Sequence, residues 1–216
     1  VTIIAPSLLS ANFLELKTEL ERLNAIDDLW LHLDVMDSHF VPNLTFGEPV
    51  LNKLHKISKH PLDAHFMVSN PDFFIENFKA IGIHNFTYHF EVAVDHLSTI
   101  SKIKKFYPSA GISIKPKTEV ADLPLDILKA VDLVLVMSVE PGFGGQKFMS
   151  NAIDKVIKLD ALRHQHNLKF KIEVDGGIIR ENSGYLIQAG ADILVAGSFI
   201  FNEPNFDYQS KINLLR

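Results

Sequence analysis

Pro6-Ser7-Leu8-Leu9-Ser10 follows the first strand-like run of the chain and contains no glycine. That turn decides between two folds. Outward from it, short runs rich in Val, Ile, Leu and Phe recur near residues 3–6, 30–35, 62–67, 85–89, 110–114, 132–137, 169–174 and 192–196. Their near-continuous apolar character is that of strands buried on both faces. Helical patterns fill the gaps. Asn12 reads as an N-cap with Glu15 placed to close a capping box, ahead of Leu16, Leu20 and Leu23 at helical spacing. A second helix is expected over 47–58, with Val50, Leu51, Leu54 and Ile57 on its buried face. A third opens at Asn70-Pro71-Asp72 and is expected to stop near Gly82. Further helices are expected over 95–106, 125–130 and 150–167. A seventh ends at Gly190, and an eighth closes the chain through Ile212 and Leu215.

Strands alternating with helices imply a parallel sheet with crossover helices. An open doubly wound sheet usually carries a glycine-rich turn after its first strand. Here the glycines cluster after strands six, seven and eight instead, where barrels often bind phosphate. The expected fold is therefore α/β: a single (β/α)8 TIM barrel domain with eight parallel strands spanning 1–216.

With 216 residues and 47% hydrophobic content, the chain has ample core for one domain. A net charge of −5 with no basic cluster argues against nucleic acid. There is no polybasic or strongly amphipathic surface segment to suggest membrane binding, and Leu133-Val134-Leu135-Val136-Met137 is too short to span a bilayer. Val1-Thr2-Ile3-Ile4-Ala5-Pro6 lacks the features of a signal peptide. The lack of cysteine excludes disulfides and thiolate metal sites. A cytoplasmic location is the default expectation.

In a barrel, functional groups sit at the C-terminal ends of the strands. Strand two reads Leu31-His32-Leu33-Asp34-Val35-Met36-Asp37, and alternation puts His32, Asp34 and Met36 on one face. Such a His–Asp pair suits divalent metal binding or proton abstraction, and equally a buried structural hydrogen bond. Strand three repeats the pattern with His65 and Met67 in phase. Strand seven adds a second carboxylate, Asp175, in phase with Glu173. Ser7 ends strand one, where a hydroxyl suits a substrate oxygen as well as a turn. His89 and Lys115 are read as a core histidine and a solvated lysine in preference to site residues. The loop Gly142-Phe143-Gly144-Gly145 lets backbone approach an anion and has the position of a lid. Gly176, Gly177, Gly197 and Ser198 form a phosphate cradle.

Two histidines and two aspartates can hold Zn, Fe(II), Mn or Co more readily than Mg. Met36, Met67 and Met137 make an apolar wall that shields a reactive intermediate without donating protons. Two carboxylates across a barrel suit one reaction class. One removes a proton next to a carbonyl, the other returns a proton from the far side, and one carbon inverts.

At this point the residues resemble a known family, ribulose-phosphate 3-epimerase, along the whole chain. The resemblance rests on Ala5-Pro6-Ser7, on His32 through Asp37, on His39-Phe40-Val41-Pro42-Asn43 and on His65-Phe66-Met67-Val68. It continues through Val139 to Gln146, Glu173 to Ile178, and Ala189-Gly190-Ala191-Asp192. It implies a (β/α)8 barrel and interconversion of D-ribulose 5-phosphate with D-xylulose 5-phosphate in the pentose phosphate pathway. It implies one divalent metal ion per subunit held by His32, Asp34, His65 and Asp175, with Asp34 and Asp175 as the acid/base pair. Implied substrate contacts are Ser7, His65, Gly142, Phe143, Gly144, Gly145, Asp175, Gly176, Gly177, Gly197 and Ser198. A homo-oligomer, dimer or hexamer, is implied. Ser38 and Lys117 stand where the family usually has glycine. The first is expected to affect the turn after strand two, and the second to add positive charge near the site mouth.

Three rivals differ in their chemistry. A sister 3-epimerase would act on a ketohexose 6-phosphate such as D-allulose 6-phosphate; the intact 142–145 and 175–177 stretches favour the pentose substrate. A metal-independent lyase or decarboxylase would need a lysine among the strand-end carboxylates, where this chain has His32 and His65. A non-catalytic phosphosugar-binding barrel would need neither Asp34 nor Asp175.

Overall fold

The runs of Val, Ile and Leu form strands where expected, each within one or two residues of its anticipated bounds. In the computed structural model, which describes residues 2–216, these are β1 (Ile3–Pro6), β2 (Leu31–Met36), β3 (Leu62–Met67), β4 (Asn85–His89), β5 (Ser109–Ile114), β6 (Leu133–Met137), β7 (Lys171–Asp175) and β8 (Ile193–Ala196). All pairs are parallel, in the order β1-β8-β7-β6-β5-β4-β3-β2. The ends meet through bridges Ile4–Leu29 and Ser7–His32 and a bond from Trp30 N–H to Ile4 O at 3.2 Å. The sheet is therefore a nearly closed barrel of the TIM type.

The helices between the strands are α1 (Leu16–Leu23), α2 (Glu48–Ile57), α3 (Pro71–Asn77), α4 (His96–Phe106), α5 (Leu125–Ala130), α6 (Asn151–Gln165) and α7 (Arg180–Ala189). After β8 come α8 (Ser198–Phe201) and α9 (Tyr208–Asn213). Asn70 and Asp95 cap α3 and α4 as their residue types dictate, and Gly190 closes α7 at φ +112°.

Several local expectations fail for identifiable reasons. Asn12 caps a 3-10 turn, and its amide bonds the Glu15 carboxylate, so no capping box forms and α1 starts only at Leu16. On α2, Val50 points outward at 36% exposure while Leu51 and Leu54 are buried. The α3 helix stops at Asn77, and the chain turns once more before Gly82 at φ +84°. The short α8 was not anticipated: four residues carry too little periodicity to register.

Alternation along the strands sorts the residues into two environments. Leu31, Leu33, Val35, Phe66, Val134 and Val174 join the core under the helices. Inside the barrel one side is apolar, built from Ala5, Leu133, Leu135, Met137, Ile193 and Val195. The other side buries His32, Asp63, Asn85, Thr87, Ser109, Ser113 and Glu173. The Ala189-Gly190-Ala191-Asp192 motif serves this frame. Asp192 accepts from Ile172 N–H at 2.8 Å and from Arg163 at 2.5 Å, tying α6, β7 and β8 together.

Candidate metal centre and active site

Side-chain alternation carries His32 and Asp34 of β2, His65 of β3 and Asp175 of β7 to one point at the top of the barrel interior. On the ring of strands β7 lies three positions from β2, nearly opposite. His32 Nε2 is 3.5 Å from Asp34 Oδ1 and 3.8 Å from Asp175 Oδ2. His65 Nδ1 is 3.4 Å and 3.9 Å from the same two oxygens. One ligand atom from each of the four residues lies within 4.8 Å of the others. His32 Nε2 and His65 Nδ1 are buried and have no hydrogen-bond partner among the described residues. Two orphaned buried nitrogens are costly unless something occupies the space between them. Two imidazole nitrogens and two carboxylate oxygens suit a borderline divalent cation. The residues present fit such an ion.

The other expected residues gather above. A cleft of about 530 Å³, part of it open to solvent, is lined by Ser7, Asp34, the methionines Met36, Met67 and Met137, the 142–145 loop, Asp175, Gly176, Gly177, Gly197 and Ser198. The two histidines form its floor and are fully buried. Ser7 Oγ donates to Asp34 Oδ2 at 2.6 Å. The 142–145 loop is anchored at both ends. Asn43 donates to Gly142 O at 2.9 Å, and Gln146 donates to Glu140 O and Phe143 O. Phe143 at its tip is half exposed.

Burial opposes charge on every group in the floor, and neighbours decide the outcome. For Asp34, burial is outweighed by His32 and His65, which hold the carboxyl far below the usual carboxylate range. For Asp175, burial and then the charge of Asp34 push the carboxyl up to about 7. For His32, burial is outweighed by the carboxylates of Asp63 and Asp34, so its pKa is well above the ordinary value. Burial wins at His65 and lowers it. The two aspartates are thus driven apart in proton affinity while sharing one site.

Beneath this floor lies a polar layer that sequence reasoning missed. Asp63 Oδ2 accepts from His32 Nδ1 at 2.6 Å, and Asp63 Oδ1 accepts from Asn85 at 2.6 Å. Asn85 in turn accepts from Ser109 at 2.6 Å. Glu173 sits against Asp63 and His32, and burial followed by the charge of Asp63 raises it well above the ordinary carboxyl value. Both Glu173 oxygens are buried without a hydrogen-bond partner among the described residues, with Oε1 3.7 Å from His32 Nδ1. The signal was present: Asp63 and Glu173 are each two residues from a floor residue and share its strand face.

Asp37, the carboxylate after β2, stays out of the cleft. It accepts from His39 N–H, Phe40 N–H, Ser69 N–H and Ser69 Oγ, and these donors outweigh burial to lower it to about 2. Ser38 takes φ +61°, the left-handed conformation a glycine would take there, so the turn keeps its form with serine. Lys117 is exposed and does not line the cleft, so it brings no direct contact to the site. Lys115 places its ammonium 3.8 Å from the Phe40 ring centroid.

Gly176 and Gly177 are required by space as well as by φ. Gly177 lies at φ +63°, and a Cβ there would stand 2.6 Å from Phe148 N and 2.8 Å from Gln146 O. Both neighbours are backbone of the loop from β6. Gly177→Ala should therefore lower stability by about 1–3 kcal/mol and raise KM by displacing that loop. Urea denaturation and steady-state kinetics check this, and an unchanged midpoint with unchanged KM would show that the loop yields freely.

Comparisons with known proteins agree with this geometry. Residues 3–201 match the model of the ribulose-phosphate 3 epimerase family. A ribulose-phosphate 3-epimerase of Treponema pallidum (strain Nichols) is 45% identical over 199 residues, covering 92% of this chain and 91% of that protein. The cytoplasmic isoform from Oryza sativa subsp. japonica is 45% identical over 201 residues, covering 92% and 86%. Among solved structures, the tryptophan synthase A-subunit of Pyrococcus furiosus superposes with a TM-score of 0.67 at 16% identity, covering 99% of this chain and 96% of that one. That likeness concerns the barrel alone. Taken with a family match that runs from β1 to the end of α8, the chain belongs to the ribulose-phosphate 3-epimerase family.

Proposed function

We propose that this protein, as one barrel domain, inverts C3 of D-ribulose 5-phosphate to give D-xylulose 5-phosphate, and the reverse. The observation that carries the reading is the pair Asp34 and Asp175. They converge on one site, one held ionised and the other raised to about 7. Groups in one site with proton affinities pushed apart divide the acid and base roles between them. In one direction the ionised carboxylate takes the C3 proton, and the electron pair moves into the adjacent carbonyl to give an enediolate. The other carboxyl returns a proton to C3 from the opposite side. Protons and charge balance, and the two residues exchange roles in the reverse direction. His32, Asp34, His65 and Asp175 would hold the divalent ion. When bound it supplies Lewis-acid stabilisation of the developing negative charge, worth several kcal/mol.

The remaining residues bind and shield. The backbone of Gly176, Gly177 and Gly197 with the Ser198 hydroxyl suits the phosphate. Ser7 suits a sugar oxygen near Asp34. The three methionines keep water and stray proton donors from the carbanionic centre. The 142–145 loop is placed to close over the sugar.

The test is solvent exchange. The protein, with zinc or with a chelator, is incubated with D-ribulose 5-phosphate in D2O while the C3 proton is followed by NMR. Metal-dependent loss of the C3 signal with formation of xylulose 5-phosphate is expected. A folded, metal-loaded sample that neither exchanges nor converts the sugar would overturn the reading. D-Allulose 6-phosphate in a parallel tube decides between pentose and hexose substrates.

A further inference from the structure

We infer that Glu91, acting through His89, is a positioning residue that selects which ring nitrogen of His65 faces the metal centre. The inference rests on the metal-dependent reading above and deepens it. His65 and His89 are both fully buried. Their Nε2 atoms lie 2.9 Å apart, and His89 Nδ1 lies 3.1 Å from Glu91 Oε2. Two facing nitrogens at that distance share a single proton. An ionised carboxylate only accepts, so His89 Nδ1 donates to Glu91. The His89 lone pair is then at Nε2, and His65 Nε2 must be the donor to it. That leaves the His65 lone pair on Nδ1. This is the nitrogen without a partner, 3.4 Å from Asp34 Oδ1 and 3.9 Å from Asp175 Oδ2. One carboxylate at the far end sets the direction of the whole relay.

Glu91 is built to hold that place. It leaves the end of β4 in a 3-10 turn at Phe90–Val92. Its two oxygens are divided. Oε1 accepts from Lys115 N–H at 2.8 Å and from the Thr118 hydroxyl, while Oε2 alone faces His89. A residue that merely tied the turn to the 115–118 loop would need only Oε1. That loop is itself pinned by Lys155 of α6, nearly fully buried, which donates to Lys115 O, Pro116 O and Thr118 O at 3.0, 2.8 and 2.6 Å. The support for His65 thus runs from α6 to the site floor. His32 uses the opposite nitrogen, with Nδ1 held by Asp63 and Nε2 facing the centre.

The experiment uses the full chain and two readouts. Zinc is titrated against a chromophoric chelator, and imidazole 15N spectra are recorded on metal-free protein. Wild type should bind one zinc; failure of that arm would count against the metal reading. The spectra decide the present inference independently. His65 should carry its proton on Nε2 in wild type and be divided between the Nε2–H and Nδ1–H tautomers in Glu91→Ala. Zinc affinity should fall by about 10–100-fold in Glu91→Ala. Glu91→Gln, whose one oxygen is claimed by Lys115 N–H and the Thr118 hydroxyl, turns its amide N–H to His89 and should reverse the relay, moving the His65 proton to Nδ1 with the same loss of zinc affinity. If Glu91→Ala fails to fold, His89→Phe keeps Glu91 and its loop in place and should show the same loss. A His65 protonated on Nδ1 in wild type would overturn the inference. So would variants with the wild-type His65 spectrum and wild-type zinc affinity.

Discussion

Asp34→Asn and Asp175→Asn should each slow C3 inversion by at least ~10²–10⁴-fold, the range a positioned general base contributes, while far-UV circular dichroism stays unchanged. The amide keeps the shape of the carboxylate but can neither take up nor return a proton. Each carboxylate serves one face of the carbon, so losing either one stops inversion. The residual exchange separates this reading from a simple loss of metal. With one base removed, the surviving carboxylate still faces the hydrogen of one epimer. Each variant should therefore wash deuterium into one epimer only, and the two variants should choose opposite epimers. Zinc content is measured alongside, because both residues are in the ligand set. Near-normal turnover in either metal-loaded variant would remove the two-base assignment.

What the residues revealed before the structure followed a simple physical rule. A strand shows its faces in its own sequence, so His32, Asp34 and Met36 could be placed together, and likewise His65 with Met67. The barrel followed from the glycine-free turn at 6–10 and from the glycines after β6, β7 and β8. Partnerships between strands were another matter. That Asp63 lies beside His32 depends on the β2–β3 register, and that Glu173 reaches the same layer depends on β7 coming round to it. Neither quantity is written in a single strand. His89 reads as a plain core histidine in sequence because its meaning lies in Glu91, which leaves the strand in a 3-10 turn. A carboxylate in such a turn looks like any exposed acid. Lys155 illustrates the same limit: a lysine on a helix reads as solvated, yet this one is buried and fully bonded to three carbonyls.

Zinc at a concentration a thousandfold above its pH 7 Kd should raise the thermal midpoint by ~8–16 °C at pH 7, and the same concentration should raise it by less at pH 5. The size follows from mass action, about 4 kcal/mol at that excess, and from about 2–4 °C per kcal/mol for a chain of this length. The pH trend follows from the buried carboxyls. Asp175 rises from an ordinary 3.8 to about 7, and Glu173 is also raised, so across this window these two carboxyls keep protons in the folded metal-free chain that the unfolded chain has released. Those two groups lower stability as pH rises from 5 to 7, while His65 and His89, lowered by burial, raise it until the pH passes their ordinary 6.5. Asp34 and Asp63 are held low, and their contribution is lost only as pH falls below the ordinary carboxylate range. His32 is raised, so its contribution is complete below about 6.5 and is lost at higher pH. A divalent ion must displace protons from Asp175 and His32, so it binds more tightly as pH rises. At a fixed zinc concentration this rising affinity enlarges the gap. Calorimetry with zinc and with chelator, at pH 5 and pH 7, measures it directly. A gap that is absent, or that narrows toward pH 7, would mean that these four side chains do not share a cation.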